Sequence, residues 1–323
     1  MDRKAVRIVF MGTPEFAEHS LERLVSEGFN VVGVVTVPDR PIGRHGSVLQ
    51  PSPVKQFALS AGIPVLQPEK LKDETFLEQL RAWKADLQVV VAFRMLPEVV
   101  WAMPPMGTFN LHASLLPQYR GAAPINWAVM NGEKETGVTT FFLKHEIDTG
   151  DIISQRRVAV GEDEDAGSLH DRLMAVGADL VVETLDDIVA GRASAMPQDV
   201  TGAAELKPAP KIFKETCMVD WSRDALSVKN FVRGLSPYPA AWSVLVFPDG
   251  RRADMKIFRV SLSDSPAFGI PGTVHSDGRN CIEVMAGDGH AVRLDEVQMA
   301  GKKRMDTRAF LCGTQISDGC LFE

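Results

Sequence analysis

Short apolar runs alternate with helix-like stretches through the first third of the chain, and this alternation restricts the fold more than any other feature. Val6 to Met11 is apolar over the length of a buried strand, and Pro14 to Glu27 carries apolar residues at helical spacing. Val31 to Val37 reads as the next strand. Further short runs at Ile63 to Leu66, Leu87 to Phe93 and Thr108 to Leu111 are interleaved with helical stretches near Val54 to Ala61 and Glu74 to Trp83. The pattern predicts an α/β domain with a doubly wound, mostly parallel, Rossmann-like sheet. Ligands of such sheets sit beyond the carboxyl ends of the strands.

A strand, a glycine turn and a helix at the start also invite a dinucleotide-binding reading. Gly12-Thr13-Pro14-Glu15-Phe16 excludes it: the second and third glycines of G-x-G-x-x-G are missing, and a proline stands where backbone would approach a pyrophosphate.

At 323 residues the chain is longer than one core comfortably fills, so two domains are expected. Ile152 to Ser154 is strand-like, and Leu169 to Val189 has helical apolar spacing. The tract Arg192 to Pro210 is loose, and its small residues and prolines read as an interdomain linker. The expected division is 1–191, a linker over 192–210, and 211–323. In the last part Val244 to Phe247, Met255 to Val260, Gly272 to His275, Ile282 to Ala286 and Ala291 to Val297 are short strand-like runs separated by glycine turns, which suggests a small β-barrel or sandwich.

Composition narrows the class. With 45% hydrophobic and 24% charged residues the chain is an ordinary globular protein rather than a disordered one. The start enters a strand pattern without the apolar stretch and cleavage site of a signal peptide, and no run reaches the roughly 18 apolar residues that span a bilayer. A cytoplasmic location is expected. Cys217, Cys281, Cys312 and Cys320 form no C-x-x-C pair and have no histidines at zinc-finger spacing, so free thiols are expected and no metal. The net charge is -7, but it is uneven: residues 1–205 hold 19 Lys and Arg against 28 Asp and Glu, and residues 206–323 hold 16 against 14. If one half meets a polyanion it is the second, since local potential outweighs the sum. An ordinary solvated face would account for the same counts.

Chemistry concentrates at Asn110-Leu111-His112-Ala113-Ser114-Leu115-Leu116-Pro117, with Asp148-Thr149-Gly150-Asp151 following. These segments collect an amide, an imidazole and a carboxylate without a nucleophile. At a strand end, the two-residue spacing turns Asn110 and His112 to one face, where both can hydrogen-bond one reacting oxygen. Asp148 can orient the imidazole or take a proton. The other reading is structural: an Asn and a His at a strand end, and an Asp in a turn.

The longer run N-L-H-A-S-L-L-P-Q-Y-R-G-A-A-P-I-N-W-A, with E-T-G-V-T and D-T-G-D after it and G-T-P-E-F-A before it, resembles the folate-dependent formyltransferases, most of all the branch that acts on methionyl-tRNA. The resemblance extends through I-F-K-E-T-C-M-V-D-W-S, L-S-P-Y-P-A-A-W and Q-M-A-G-K-K-R-M-D near the C-terminus. It implies transfer of the formyl group of 10-formyltetrahydrofolate to the α-amino group of initiator methionyl-tRNA, for translation initiation. It implies Asn110, His112 and Asp148 as catalytic residues, Ser114, Leu115, Leu116 and Pro117 at the folate, and a C-terminal OB-like barrel that helps to hold tRNA. A monomer is expected.

The segment from Thr36 to Lys55 is rich in Pro and Gly and longer than a usual strand-to-helix connection. By resemblance it reaches the tRNA acceptor end, with Arg44 as the first contact and Arg40 and Lys55 as further ones. Family members often have lysines after this arginine, where this chain has His45-Gly46-Ser47-Val48. A second departure is Arg94 in V-V-V-A-F-R-M-L-P, where relatives place a small residue beside the pterin pocket; the sequence leaves open whether Arg94 reshapes that edge or points to solvent. Two rival functions remain. One is formyl transfer to a small amine such as glycinamide ribonucleotide or an amino sugar nucleotide; the other is a catalytically idle RNA-binding module, which would not need all three of Asn110, His112 and Asp148.

Overall fold

The computed structural model describes residues 3–42, 48–198 and 205–323. In chain order the elements are β1 (Arg7–Gly12), α1 (Glu15–Ser26), β2 (Asn30–Val35), β3 (Arg40–Ile42), β4 (Val48–Gln50), α2 (Pro53–Ser60), β5 (Val65–Leu66), α3 (Glu74–Ala82), β6 (Leu87–Val91), α4 (Glu98–Trp101), β7 (Thr108–His112), α5 (Pro124–Met130), β8 (Glu135–Phe142), β9 (Ile152–Ala159) and α6 (Ala166–Val189). They continue with α7 (Ala225–Leu235), β10 (Ala241–Val246), β11 (Arg252–Ser263), β12 (Val274–Ser276), β13 (Ile282–Met285), β14 (Ala291–Met299), β15 (Met305–Asp306), α8 (Thr307–Leu311) and β16 (Leu321–Phe322). Two compact units result: Met1–Gly121 with Thr136–Val158 and Asp171–Pro208, and Ala122–Glu135 with Ala159–His170 and Ala209–Glu323. The second unit therefore takes in two segments that precede position 191.

In the first unit seven of the described strands form a sheet in the order β5-β2-β1-β6-β7-β8-β9. β5, β2, β1, β6 and β7 are parallel neighbours, and β8 runs antiparallel to β7. The chain moves outward from β1 to β2 and β5, then returns across β1 to β6 and β7. This is the expected doubly wound sheet, and its switch point lies between β1 and β6. Val9, Met11, Val35 and Val90 are buried together with Phe76, Leu77 and Leu80 of α3 and Val100 of α4. Gly33 in β2 must be glycine, because a Cβ there would lie 2.5 Å from the Trp83 ring. Ser52 and Asp73 start α2 and α3 by accepting from the amides of Lys55 and Phe76, each at 3.1 Å.

Two features escape the apolar pattern. The Thr36 to Lys55 segment carries a two-stranded ribbon, β3 against β4, whose three-residue strands are too short to show alternation. β8 is buried, yet Thr136, Thr139 and Thr140 interrupt its apolar run. Thr139 and Thr140 are tolerated because hydrogen bonds satisfy their hydroxyls, as in the 2.8 Å contact of Thr140 Oγ1 with Thr184 Oγ1.

In the second unit the described strands form a sheet ordered β12-β13-β14-β11-β10-β16, with β15 against β14. A bridge between Thr273 and Leu321 joins its two ends, so the antiparallel sheet is a nearly closed barrel. Inward residues alternate along β10, where Ala241, Ser243 and Leu245 are buried and Trp242, Val244 and Val246 are half-buried. Helix α7, capped by Asp224 on the Ser227 amide, contributes Ala225, Val228, Val232 and Leu235 to the barrel core. Cys217 and Cys320 belong to the same core; all four cysteines are free thiols. Among the described residues no helix is long and apolar enough to cross a membrane.

Candidate active site

Register across the sheet puts Gly12, Val91 and Leu111 in one row at the carboxyl ends of β1, β6 and β7. One residue further lie Thr13, Ala92 and His112, at the switch point where a doubly wound sheet opens its crevice. Ala92 has φ 46°, a left-handed conformation that is uncommon for a residue with a Cβ. The Thr13 hydroxyl is buried without a hydrogen-bond partner among the described residues. Nothing in the local sequence distinguishes Thr13 from a turn residue.

His112 ends β7 and is buried, with 7% of its side chain exposed. Its Nε2 lies 2.8 Å from the carbonyl oxygen of Tyr119. A carbonyl can only accept, so Nε2 carries the proton. In the neutral ring Nδ1 is then the lone-pair nitrogen, and it faces Asp148 Oδ2 at 3.9 Å. That distance is too long for a direct hydrogen bond, and it leaves the Nδ1 lone pair uncommitted among the described residues. Tyr119 reaches this position through a φ of 59° and an amide that donates to the Lys207 carbonyl at 2.7 Å.

Asp148 is also in the left-handed region, at φ 54°, which Asp tolerates better than most residues. Its Oδ2 accepts from the Gly121 amide at 3.0 Å. The Gln198 side chain donates to the backbone carbonyls of Asp148 and Gly150, at 2.7 and 2.9 Å, and holds the turn. Gly150 permits the turn to approach β8, since a Cβ would fall 1.6 Å from the Phe142 carbonyl. Asn110, two residues before His112 and so on the same face of β7, is half-buried and forms no side-chain hydrogen bond among the described residues. The expected trio therefore divides into a restrained imidazole and carboxylate, which the fold brings together, and an uncommitted amide.

The turn after β7 is held from below by Thr139, which lies opposite His112 on β8. Its hydroxyl donates to the Ser114 carbonyl at 2.6 Å and accepts from the Leu116 amide at 3.2 Å. Gln155 adds a bond to the Leu116 carbonyl at 2.8 Å. Ser114 and Leu116 have buried side chains, and the Ser114 hydroxyl donates to the Gln118 carbonyl at 2.7 Å; Leu115 and Pro117 are half-buried. Thr139, Gln155 and Gln198 lie far along the chain from the motif, and no short-range pattern flags them.

Residues 6–185 match the model of the formyl transferase family, and residues 211–315 match that of the formyl transferase C-terminal domain. The chain belongs to the formyl transferase family. This formyltransferase is 60% identical over 315 residues to the methionyl-tRNA formyltransferase of Parabacteroides distasonis, covering 97% of each chain. It is 55% identical over 319 residues to that of Bacteroides fragilis, covering 98% of each. Among solved structures, HypX from Aquifex aeolicus in complex with tetrahydrofolic acid superposes with a TM-score of 0.63 at 20% identity, covering 97% of this chain and 48% of HypX. WlaRD, a sugar 3N-formyl transferase solved with dTDP and 5-N-formyl-THF, gives 0.66 at 18%, covering 92% and 99%. At these identities the structural likenesses show the shared fold.

In this formyltransferase the half-buried Arg94 is committed to backbone rather than pointing free into solvent. Its guanidinium donates to the Pro68 and Glu69 carbonyls at 2.8 and 3.0 Å, tying the segment after β6 to the one after β5. Lys55 is half-buried and ion-paired with Asp39 at 2.6 Å, and Gln67 also donates to Asp39 at 2.8 Å. Arg40 is exposed in β3, opposite Gln50. Arg44 lies outside the described residues. Among the described residues no group of three His, Cys, Asp or Glu side chains is placed to hold a metal ion.

Proposed function

We propose that this chain transfers the formyl group of 10-formyltetrahydrofolate to the α-amino group of initiator methionyl-tRNA, by direct attack of the amine. The observation that carries the acceptor is full-length identity of 60% to a methionyl-tRNA formyltransferase. The Asn110 amide and Thr13 hydroxyl, without hydrogen-bond partners among the described residues and close in the sheet to an imidazole with a free Nδ1, supply the polar groups that a formyl donor at the switch point requires.

Folate is the co-substrate and brings the formyl carbon. Leu115 and Pro117 offer it half-buried apolar contact, while the buried Ser114 and Leu116 set the shape of that turn. As the amine adds, the formyl oxygen gains negative charge, and Asn110 Nδ2 donates to it. His112 Nδ1 takes the proton shed by the amine, and the resulting imidazolium faces the Asp148 carboxylate. The same nitrogen returns the proton to the departing folate nitrogen as the tetrahedral centre collapses. Proton count balances and no covalent enzyme intermediate forms.

In this reading the barrel of the second unit and the Thr36 to Lys55 segment hold the tRNA. Arg44 and Arg40 contact the acceptor end, and Lys55 braces the base of the segment through Asp39. The protein acts as a cytoplasmic monomer without a metal.

The test is formyl transfer from 10-formyltetrahydrofolate to initiator methionyl-tRNA and, in parallel, to glycinamide ribonucleotide and an amino sugar nucleotide. Transfer to the tRNA alone is expected. Transfer only to a small amine would keep the chemistry and reject the acceptor; no transfer at all would leave the idle RNA-binding module.

A further inference from the structure

The outer face of the barrel carries a row of side chains that the formyl-transfer chemistry does not use. Trp242 on β10 is paired with Lys256 on β11, and Lys256 with Gln298 on β14, so the three stand side by side on one face. Asp254, two residues from Lys256 along β11, shares that face. The row is part of the lining of a cavity of about 540 Å³, whose rim also carries Phe213, Lys214 and Tyr238. This volume falls in the range that takes one small organic ligand.

The lining combines features that are costly unless a partner uses them. Tyr238 is 82% exposed and Phe213 55% exposed, both large for residues with an apolar body. Trp242 is held in place by donation from Nε1 to the Lys214 carbonyl at 2.8 Å, so its ring is a fixed surface. Lys214 Nζ lies 5.3 Å from that ring, and Lys211 Nζ lies 5.5 Å from the Phe213 ring. Lys211, Lys214 and Lys256 form no ion pair among the described residues. Ala240, in the turn that presents Tyr238, is held at φ 77°, a strained setting for alanine. Gln298 donates to the Lys302 carbonyl at 2.9 Å, which leaves its amide oxygen as an acceptor, and Asp254 adds a carboxylate to the same lining.

Aromatic faces that stack, cations that neutralise phosphate, and acceptors for exocyclic amino groups are the set that recognises an unstacked nucleotide. We infer that this cavity takes one unstacked nucleotide of a bound RNA, with the base against Trp242, Tyr238 and Phe213 and its phosphates near Lys214 and Lys256. The occupant is RNA rather than a peptide because Lys214 and Lys256, without ion pairs among the described residues, line the cavity, Lys211 stands over Phe213, and the lining has a single carboxylate, Asp254. The inference rests on the tRNA reading above and narrows it to one nucleotide on one face.

The experiment is equilibrium binding to the full-length protein of initiator tRNA, a single-stranded hexaribonucleotide and AMP, read by tryptophan fluorescence and by anisotropy of labelled RNA. Hexaribonucleotide is expected to quench Trp242, with the quenching lost in Trp242→Phe. Tyr238→Ala and Phe213→Ala should each weaken the hexaribonucleotide about 5- to 100-fold, the scale of one stacking contact, while Tyr238→Phe restores most of the affinity. Circular dichroism verifies that each variant is folded. Unchanged affinity in both folded alanine variants overturns the inference, as does AMP binding as tightly as the hexaribonucleotide, which would make the cavity a mononucleotide site. A protein that shows the quenching but formylates no tRNA refutes the proposed function and retains the cavity; formylation without quenching does the reverse.

Discussion

At the carboxyl edge of the sheet, His112 and Asp148 are 7% and 13% exposed, and backbone groups of Tyr119 and Gly121 hold them. On the outer face of the barrel Tyr238 is 82% exposed, and Lys214 and Lys256 are without ion pairs among the described residues. The contrast separates two uses of polar chemistry. A group that moves a proton must have one orientation and one tautomer before the substrate arrives, so its bonds are committed to the protein. A group that meets a polyanion gains from releasing counterions and keeps its charge in solvent until then. Asn110 stands between the two, placed on a buried strand but without a side-chain hydrogen bond among the described residues.

The largest expected effect is at Asn110. Asn110→Ala should lower kcat about 100- to 1,000-fold through loss of an oxyanion donor, with the melting temperature unchanged because the amide has no hydrogen-bond partner among the described residues. A parallel fall in melting temperature would show that Asn110 is structural and break the distinction. Gly150→Ala comes next: its Cβ would meet the Phe142 carbonyl at 1.6 Å, and an expected loss of about 3 kcal/mol or more follows from forcing the backbone apart. Gly250, at φ 85° in the barrel with nothing near its Cβ position, should cost only about 1 kcal/mol as alanine. Urea midpoints of the two variants compare a crowded turn with an open one.

Gln198→Ala removes the two side-chain bonds to the Asp148 and Gly150 carbonyls, and about a tenfold fall in kcat is expected with the KM for tRNA little changed. A rise in KM instead would place Gln198 on the RNA side of the comparison. The smallest effects belong to the barrel face. Lys214→Ala and Lys256→Ala should each reduce the slope of log affinity for tRNA against log salt by about 1. An unchanged slope in both would mean that these cations do not meet phosphate.

How much could be read from residues alone varied with how local the cause was. β1 and β6 were legible because they are buried on both faces and are mostly apolar, and β7 was legible from its short apolar Phe109 and Leu111 leading into the polar motif. β8 was not, since Thr136, Thr139 and Thr140 lie in a buried strand where partners elsewhere in the fold serve Thr139 and Thr140. Helix α7 was overlooked although Ala225, Val228, Val232 and Leu235 carry its spacing; the strand signals on either side dominated that region. At the site, Asn110, His112 and Asp148 stood out as residue types. Their restraints did not, because Tyr119 acts through a carbonyl, and Thr139 and Gln198 act across 25 and 50 residues.

The amino-acid sequence by itself determined the doubly wound order of strands and helices, the position of His112 at a strand end, and the exclusion of a dinucleotide turn, because each depends on neighbours within a few residues. Tertiary structure alone decided which imidazole nitrogen is free, that Ser114 turns inward, that Lys55 is spent on Asp39, and that Trp242, Lys256 and Gln298 form one row. The physical reason is the same in each case: a hydrogen bond or strand register joins groups distant in the chain, and the identity of one partner does not specify the other.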